Sequence, residues 1–171
     1  MPNLSAFLSR RWLVAAALIS AAMLAVAHAF ETFGGLAPCH MCLQQREAYW
    51  AAIGVAALGI FASRAAPGWR SAGWASAALT LTFLTGGFIA ARQAGAEWHW
   101  WPGPSSCSGA GSVTAADIAR LMQGTAGAAP RCDVAAWRML GVSMAGWNAL
   151  ASAALAGLSA RAAALTFRSE P

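Results

Sequence analysis

The chain alternates long apolar runs with short polar breaks. Four of the runs approach or reach the roughly 20 residues that a helix needs to cross a bilayer. They extend over about 12–30, 44–62, 71–91 and 139–160. The breaks hold residues that end helices: Gly34-Gly35, then Pro67-Gly68, then Pro102-Gly103-Pro104. The pattern predicts an all-α polytopic membrane protein, a single four-transmembrane-helix bundle over residues 1–171 with outer loops at about 31–43 and 92–138. In the longer loop, Thr114 as a cap, Asp117 three residues on, Ile118, Leu121 and Met122 on one face and Gly124 as a stop predict a short amphipathic surface helix.

Composition points the same way, with 58% hydrophobic and 10% charged residues against roughly 25% charged in a soluble domain. The net charge of +5 raises the question of nucleic acid, and the arginine positions answer it. Arg10, Arg11, Arg64, Arg70, Arg161 and Arg168 fall at span ends on one side, while Glu31, Glu47, Glu97, Asp117 and Asp133 fall on the other. By the positive-inside rule both termini and the 63–70 turn are cytoplasmic. The basicity is topological and predicts no nucleic-acid partner. Ala27-His28-Ala29 imitates a signal-peptide cleavage site, but the run before it is near spanning length and three more spans follow, so an uncleaved first span is simpler. His28 then reads as an interface histidine.

This topology places all four cysteines, Cys39, Cys42, Cys107 and Cys132, on the exported side, where disulfides persist. Pro38-Cys39-His40-Met41-Cys42, followed by Arg46, enters the second span. A helix beginning near Pro38 sets both sulfurs and the guanidinium on one stripe, and its unpaired N–H groups favour a thiolate. An arginine one turn inside a span is costly, and beside two cysteines it reads as a site residue rather than an anchor. Gln44 and Gln45 add polarity at that depth, while Asn148 in the fourth span reads as an interhelical hydrogen bond. The irregular stretch before Cys107 exposes that sulfur.

Three readings compete for the cysteines: two redox disulfides, Cys39 with Cys42 and Cys107 with Cys132, that exchange; two structural staples in a non-catalytic scaffold; or one metal held by all four. Zinc sites more often show two Cys-x-x-Cys knuckles, and a c-type haem needs histidine where Leu43 stands. A Cys-x-x-Cys ring is too small to brace much. Exchange needs an electron sink, and no nucleotide fingerprint occurs. A lipid-soluble quinone would need only a crevice beside Cys42 and Arg46.

Pro-Cys-x-x-Cys-x-x-x-Arg at 38–46, the tryptophan-glycine-proline stretch ending at Cys107, the placement of Cys132, and Leu140-Gly-x-Ser-x-x-x-Trp-Asn148 together resemble the bacterial disulfide bond formation protein B (DsbB) family. The resemblance covers essentially the whole chain. It implies a thiol:quinone oxidoreductase of the bacterial inner membrane that reoxidises a periplasmic thioredoxin-fold dithiol oxidase (DsbA-like) with ubiquinone or menaquinone. By that resemblance Cys107 forms the mixed disulfide with the partner and Cys132 passes the oxidising equivalent to Cys39. Cys42 is then the thiolate that meets the quinone, and Arg46 stabilises that thiolate and the quinone oxygen. Many relatives carry a histidine where this chain has Arg92-Gln93, so no quinone role is carried to that position, nor to His99.

Overall fold

Where a chain is apolar on every side, its backbone N–H and C=O groups can be satisfied only within the segment, and helices result. The computed structural model describes residues 4–66, 70–103, 122 and 131–169. Its long elements are α1 (Leu4–Thr32), α2 (His40–Ala65), α3 (Ser71–Glu97) and α4 (Met144–Ser169). Each contains a stretch long and apolar enough to span a membrane, so this is a four-span, multi-pass membrane protein. The surface helix expected from Thr114 to Gly124 lies outside the described residues, Met122 apart.

One local departure from the sequence pattern lies before α4, which starts at Met144 rather than at Met139. Leu140 and Gly141 both have positive φ, 52° and 80°, the backbone of a two-residue hairpin turn. They join β1 (Arg138–Met139) to β2 (Val142–Ser143) in an antiparallel ladder. Ser143 then caps α4, its Oγ accepting from the Gly146 N–H at 3.2 Å. An apolar count cannot see this turn, because Leu140 is apolar and 87% exposed.

α3 packs chiefly against α4 and α2, and α1 against α2 and α4. The core joins Trp12, Tyr49, Leu79, Phe83 and Leu155. Small residues set the approach: a Cβ on Gly87 would meet the Ser152 Cβ at 3.1 Å, whereas one on Gly54 would meet nothing. Trp12 Nε1 donates to Ser159 Oγ at 3.0 Å across the bundle. The outer faces carry Leu58, Phe61, Trp74, Leu81 and Phe88 exposed, as lipid contact requires. At one end Arg70 stacks on Phe167, 4.8 Å from the ring centre. At the other, α1 closes at Thr32 and α2 opens with the cysteines.

Candidate functional site

The turn between α1 and α2 decides where the sulfurs sit. Gly35 takes φ 64°, a conformation glycine adopts without cost, and the Leu36 N–H folds back onto the Phe30 carbonyl. The chain then enters α2 with Cys39 as the N-cap, its Sγ accepting from the Cys42 N–H at 3.3 Å. The two sulfurs are 2.8 Å apart as free thiols. The hydrogen bond to Cys42 and burial hold the Cys39 proton far above the ordinary thiol range. The two sulfurs share one S–H···S contact in which either can donate.

Cys132 completes the cluster. It is fully buried, packs with Cys39 and Met41 against Cys42 and Ile89, and is disulfide-bonded. A reduced pair thus lies against an oxidised sulfur, contributed from far along the chain. Cys107 lies outside the described residues. Beside Cys132, Asp133 pairs with Arg131 at 2.6 Å, and that hydrogen bond holds the Asp133 carboxyl below the usual carboxylate range.

A line of side chains leads from Cys42 into the bundle, and its shorter hydrogen bonds share one direction. The Tyr49 hydroxyl donates to Asn148 Oδ1. Asn148 Nδ2 donates to Gln45 Oε1 at 2.6 Å, and Gln45 Nε2 to Gln93 Oε1 at 2.7 Å. Gln93 Nε2 ends the line, donating to both Cys42 Sγ at 3.6 Å and Glu97 Oε1 at 3.1 Å. Ser152 stands behind Tyr49 at 3.4 Å. These donors point toward the sulfur and the carboxyl, so their dipoles add at the site; a long contact of Cys42 Sγ with Gln93 Oε1, 3.8 Å, runs the other way. Asn148 makes the interhelical bonds expected of it.

Gln93 stands at the Arg92-Gln93 position noted above for the histidine of many relatives, whereas Glu97 is a residue of the cluster that no motif singles out. Their shared signal is a polar pair four apart at the end of an apolar helix, hence on one stripe. Glu97 is 4% exposed and its Oε2 has no partner among the described residues. Its backbone carbonyl accepts from Arg138 Nη2 at 3.4 Å.

Arg46 is placed differently from the expected contact with sulfur. Its guanidinium bonds Glu31 at 2.5 Å and the Ala27 carbonyl at 3.2 Å, clasping α1 to α2. Helical spacing does bring Arg46 beneath Cys42, but the end of α1 offers it a full carboxylate, a stronger acceptor. His28 approaches the same carboxylate at 3.8 Å.

Cys39, Cys42, Gln93, Glu97, Trp137 and Met144 line a cavity of ≈ 280 Å³. Arg46 is not among its described lining residues. The volume is close to the lower end of small-ligand pockets, about 300 Å³, and the mix of apolar wall and convergent polar groups suits a flat, polar-edged ring. Among the described residues no three His, Cys, Asp or Glu side chains are arranged to hold a metal ion.

The family model described as Disulfide bond formation protein DsbB matches residues 9–162. Among similar proteins, Disulfide bond formation protein B of Verminephrobacter eiseniae is 35% identical over 151 residues, covering 85% of this chain and 81% of the relative. The protein of the same name from Paracidovorax citrulli is 35% identical, covering 80% of this chain and 81% of its own length. That of Acidovorax sp. strain JS42 is 33% identical, covering 77% and 76% respectively. No solved structure matches the chain significantly.

Proposed function

The chain belongs to the disulfide bond formation protein B family, and from that premise we propose that it is a thiol:quinone oxidoreductase. It reoxidises a periplasmic thioredoxin-fold dithiol oxidase and passes the electron pair to a membrane quinone, ubiquinone or menaquinone. The observation that carries this reading is the free Cys39–Cys42 pair packed on the disulfide-bonded Cys132 at the mouth of a cavity in a membrane bundle. The termini lie in the cytoplasm and the cysteines on the periplasmic side of the inner membrane.

The partner's thiolate attacks Cys107 and forms a mixed disulfide, releasing Cys132. The Cys132 thiolate attacks Cys39 of an oxidised Cys39–Cys42 pair, and Cys42 leaves as the thiolate. The partner's second thiolate displaces Cys107 and leaves with its own disulfide closed. Cys107 then recovers Cys132, leaving Cys39 and Cys42 reduced. A free pair beside an oxidised Cys132 corresponds to this last state, before reoxidation.

When bound, the quinone supplies an acceptor for two electrons and two protons. Cys42 and Gln93 would hold the quinone, with Trp137 and Met144 as apolar wall. The Gln93 N–H and the dipoles lined up behind it stabilise negative charge on the Cys42 sulfur. Arg46 adds positive charge one turn deeper and fixes α1 against α2.

The test is Cys42→Ser in detergent-purified protein, with a reduced thioredoxin-fold partner and quinone. Quinone reduction is abolished if the reading holds; sustained turnover refutes it.

A further inference from the structure

The proposed redox cycle leaves one proton without an address. Reducing the Cys39–Cys42 disulfide with a partner dithiol brings in two protons. Cys39 binds one of them as a buried thiol against the Cys42 sulfur. If Cys42 is to react as a thiolate, the other must be held elsewhere until the quinone takes it.

Glu97 is the one carboxyl lining the described cavity. It is almost wholly buried, and one of its oxygens has no hydrogen-bond partner among the described residues. Its other oxygen shares the Gln93 amide with the Cys42 sulfur. A thiolate and a carboxylate bridged by one N–H pair in an apolar cavity repel each other, so at most one of them carries charge at a time. The other charged or titratable groups facing Glu97 are Arg138 before the hairpin, which holds its backbone carbonyl, and two on the rim of the cavity, Cys39 and the Arg131 that pairs with Asp133. An orphaned carboxyl oxygen in such surroundings is a place where a proton can sit, and Glu97 lines the cavity that the acceptor would enter.

Resting on that redox cycle, we propose that Glu97 is the proton store of this site: it holds the proton that Cys42 does not take when the dithiol forms, and gives it to a quinone oxygen when the disulfide closes.

In the closing step the S–S bond forms between Cys39 and Cys42, and the Cys39 S–H and the Glu97 O–H break. Two electrons leave the sulfurs for the quinone, and the protons of Cys39 and Glu97 make the quinol. Charge balances, since one thiolate is consumed and one carboxylate appears. The next partner dithiol restores the Glu97 proton.

The experiment is infrared difference spectroscopy, dithiol-reduced minus oxidised, on detergent-purified protein freed of quinone. A small dithiol serves as reductant. Reduction should raise the carbonyl band of a protonated carboxylic acid, absent from Glu97→Gln and displaced in frequency in Glu97→Asp. In a companion assay Glu97→Gln should slow quinone reduction about a hundredfold, the lower range for a general acid. A wild-type spectrum without the band, or a band that survives Glu97→Gln or stays in place in Glu97→Asp, overturns the proposal. Should the wild-type protein show the Glu97 band but never pass electrons to quinone, the thiol:quinone reading falls and the proton store stands.

Discussion

Gln93 is the hinge between the sulfur and the polar line behind it, and Gln93→Leu removes that hinge at nearly constant volume. Three partners lose contact: the Cys42 sulfur, Glu97 Oε1 and Gln45 Nε2. A hydrogen bond to a charged acceptor contributes about 1.5–3 kcal/mol. At 3.6 Å the bond to sulfur belongs at the weak end, about 1.5 kcal/mol, which is roughly tenfold in rate. The cost to the fold is smaller. Two interhelical bonds are lost, both between α3 and α2, each worth about 0.6 kcal/mol in a membrane bundle, or together a few degrees of melting temperature. The variant should therefore be folded but slow. Quinone reduction by a reduced partner and alkylation of Cys42 by iodoacetamide should both fall about tenfold, with the melting temperature in detergent nearly unchanged. Gln93→His, which keeps a ring N–H near the same place, should recover most of the rate. Wild-type rates in Gln93→Leu, or a loss matched by unfolding, would refute the idea that this amide supports the sulfur.

Two further outcomes are expected from the same geometry. Cys39 holds its proton more tightly in the fold than in the unfolded chain. The associated stability is complete below the ordinary thiol pKa of about 8.5 and is lost as pH rises above it. Melting temperatures of the reduced protein should decline on that alkaline side, and Cys39→Ala should flatten the decline; an unchanged slope contradicts the assignment. Arg46→Ala breaks the clasp to Glu31 and Ala27 and should raise the quinone concentration needed for half-maximal rate more than it lowers melting temperature. Unaltered quinone kinetics would make Arg46 an anchor only.

Much of this architecture is legible in the sequence because a bilayer imposes long apolar helices, and such runs survive any detail of packing. The thiol pair is legible too, since Pro38, Cys39 and Cys42 mark a helix start by chemistry and spacing together. Which polar groups meet cannot be read the same way. Gln45, Gln93 and Asn148 come from three helices, and their contact depends on helix rotation that no single stripe reveals. Arg46 shows the limit from the other direction. Its spacing to Cys42 is right, yet a carboxylate from α1 takes its hydrogen bonds. The start of α4 hides behind the apolar but exposed Leu140.

The line from Ser152 through Tyr49, Asn148 and Gln45 to Gln93 is built mainly of carboxamides, and carboxamides do not conduct. Water threads and imidazoles can accept a hydrogen at one end and release another at the opposite end. A side-chain amide would have to pass through its imidic form to do so. The line therefore orders dipoles toward Cys42 without itself relaying hydrogen ions. In the proposed cycle, protons at the cysteines then find no relay toward the far end of the bundle along this line.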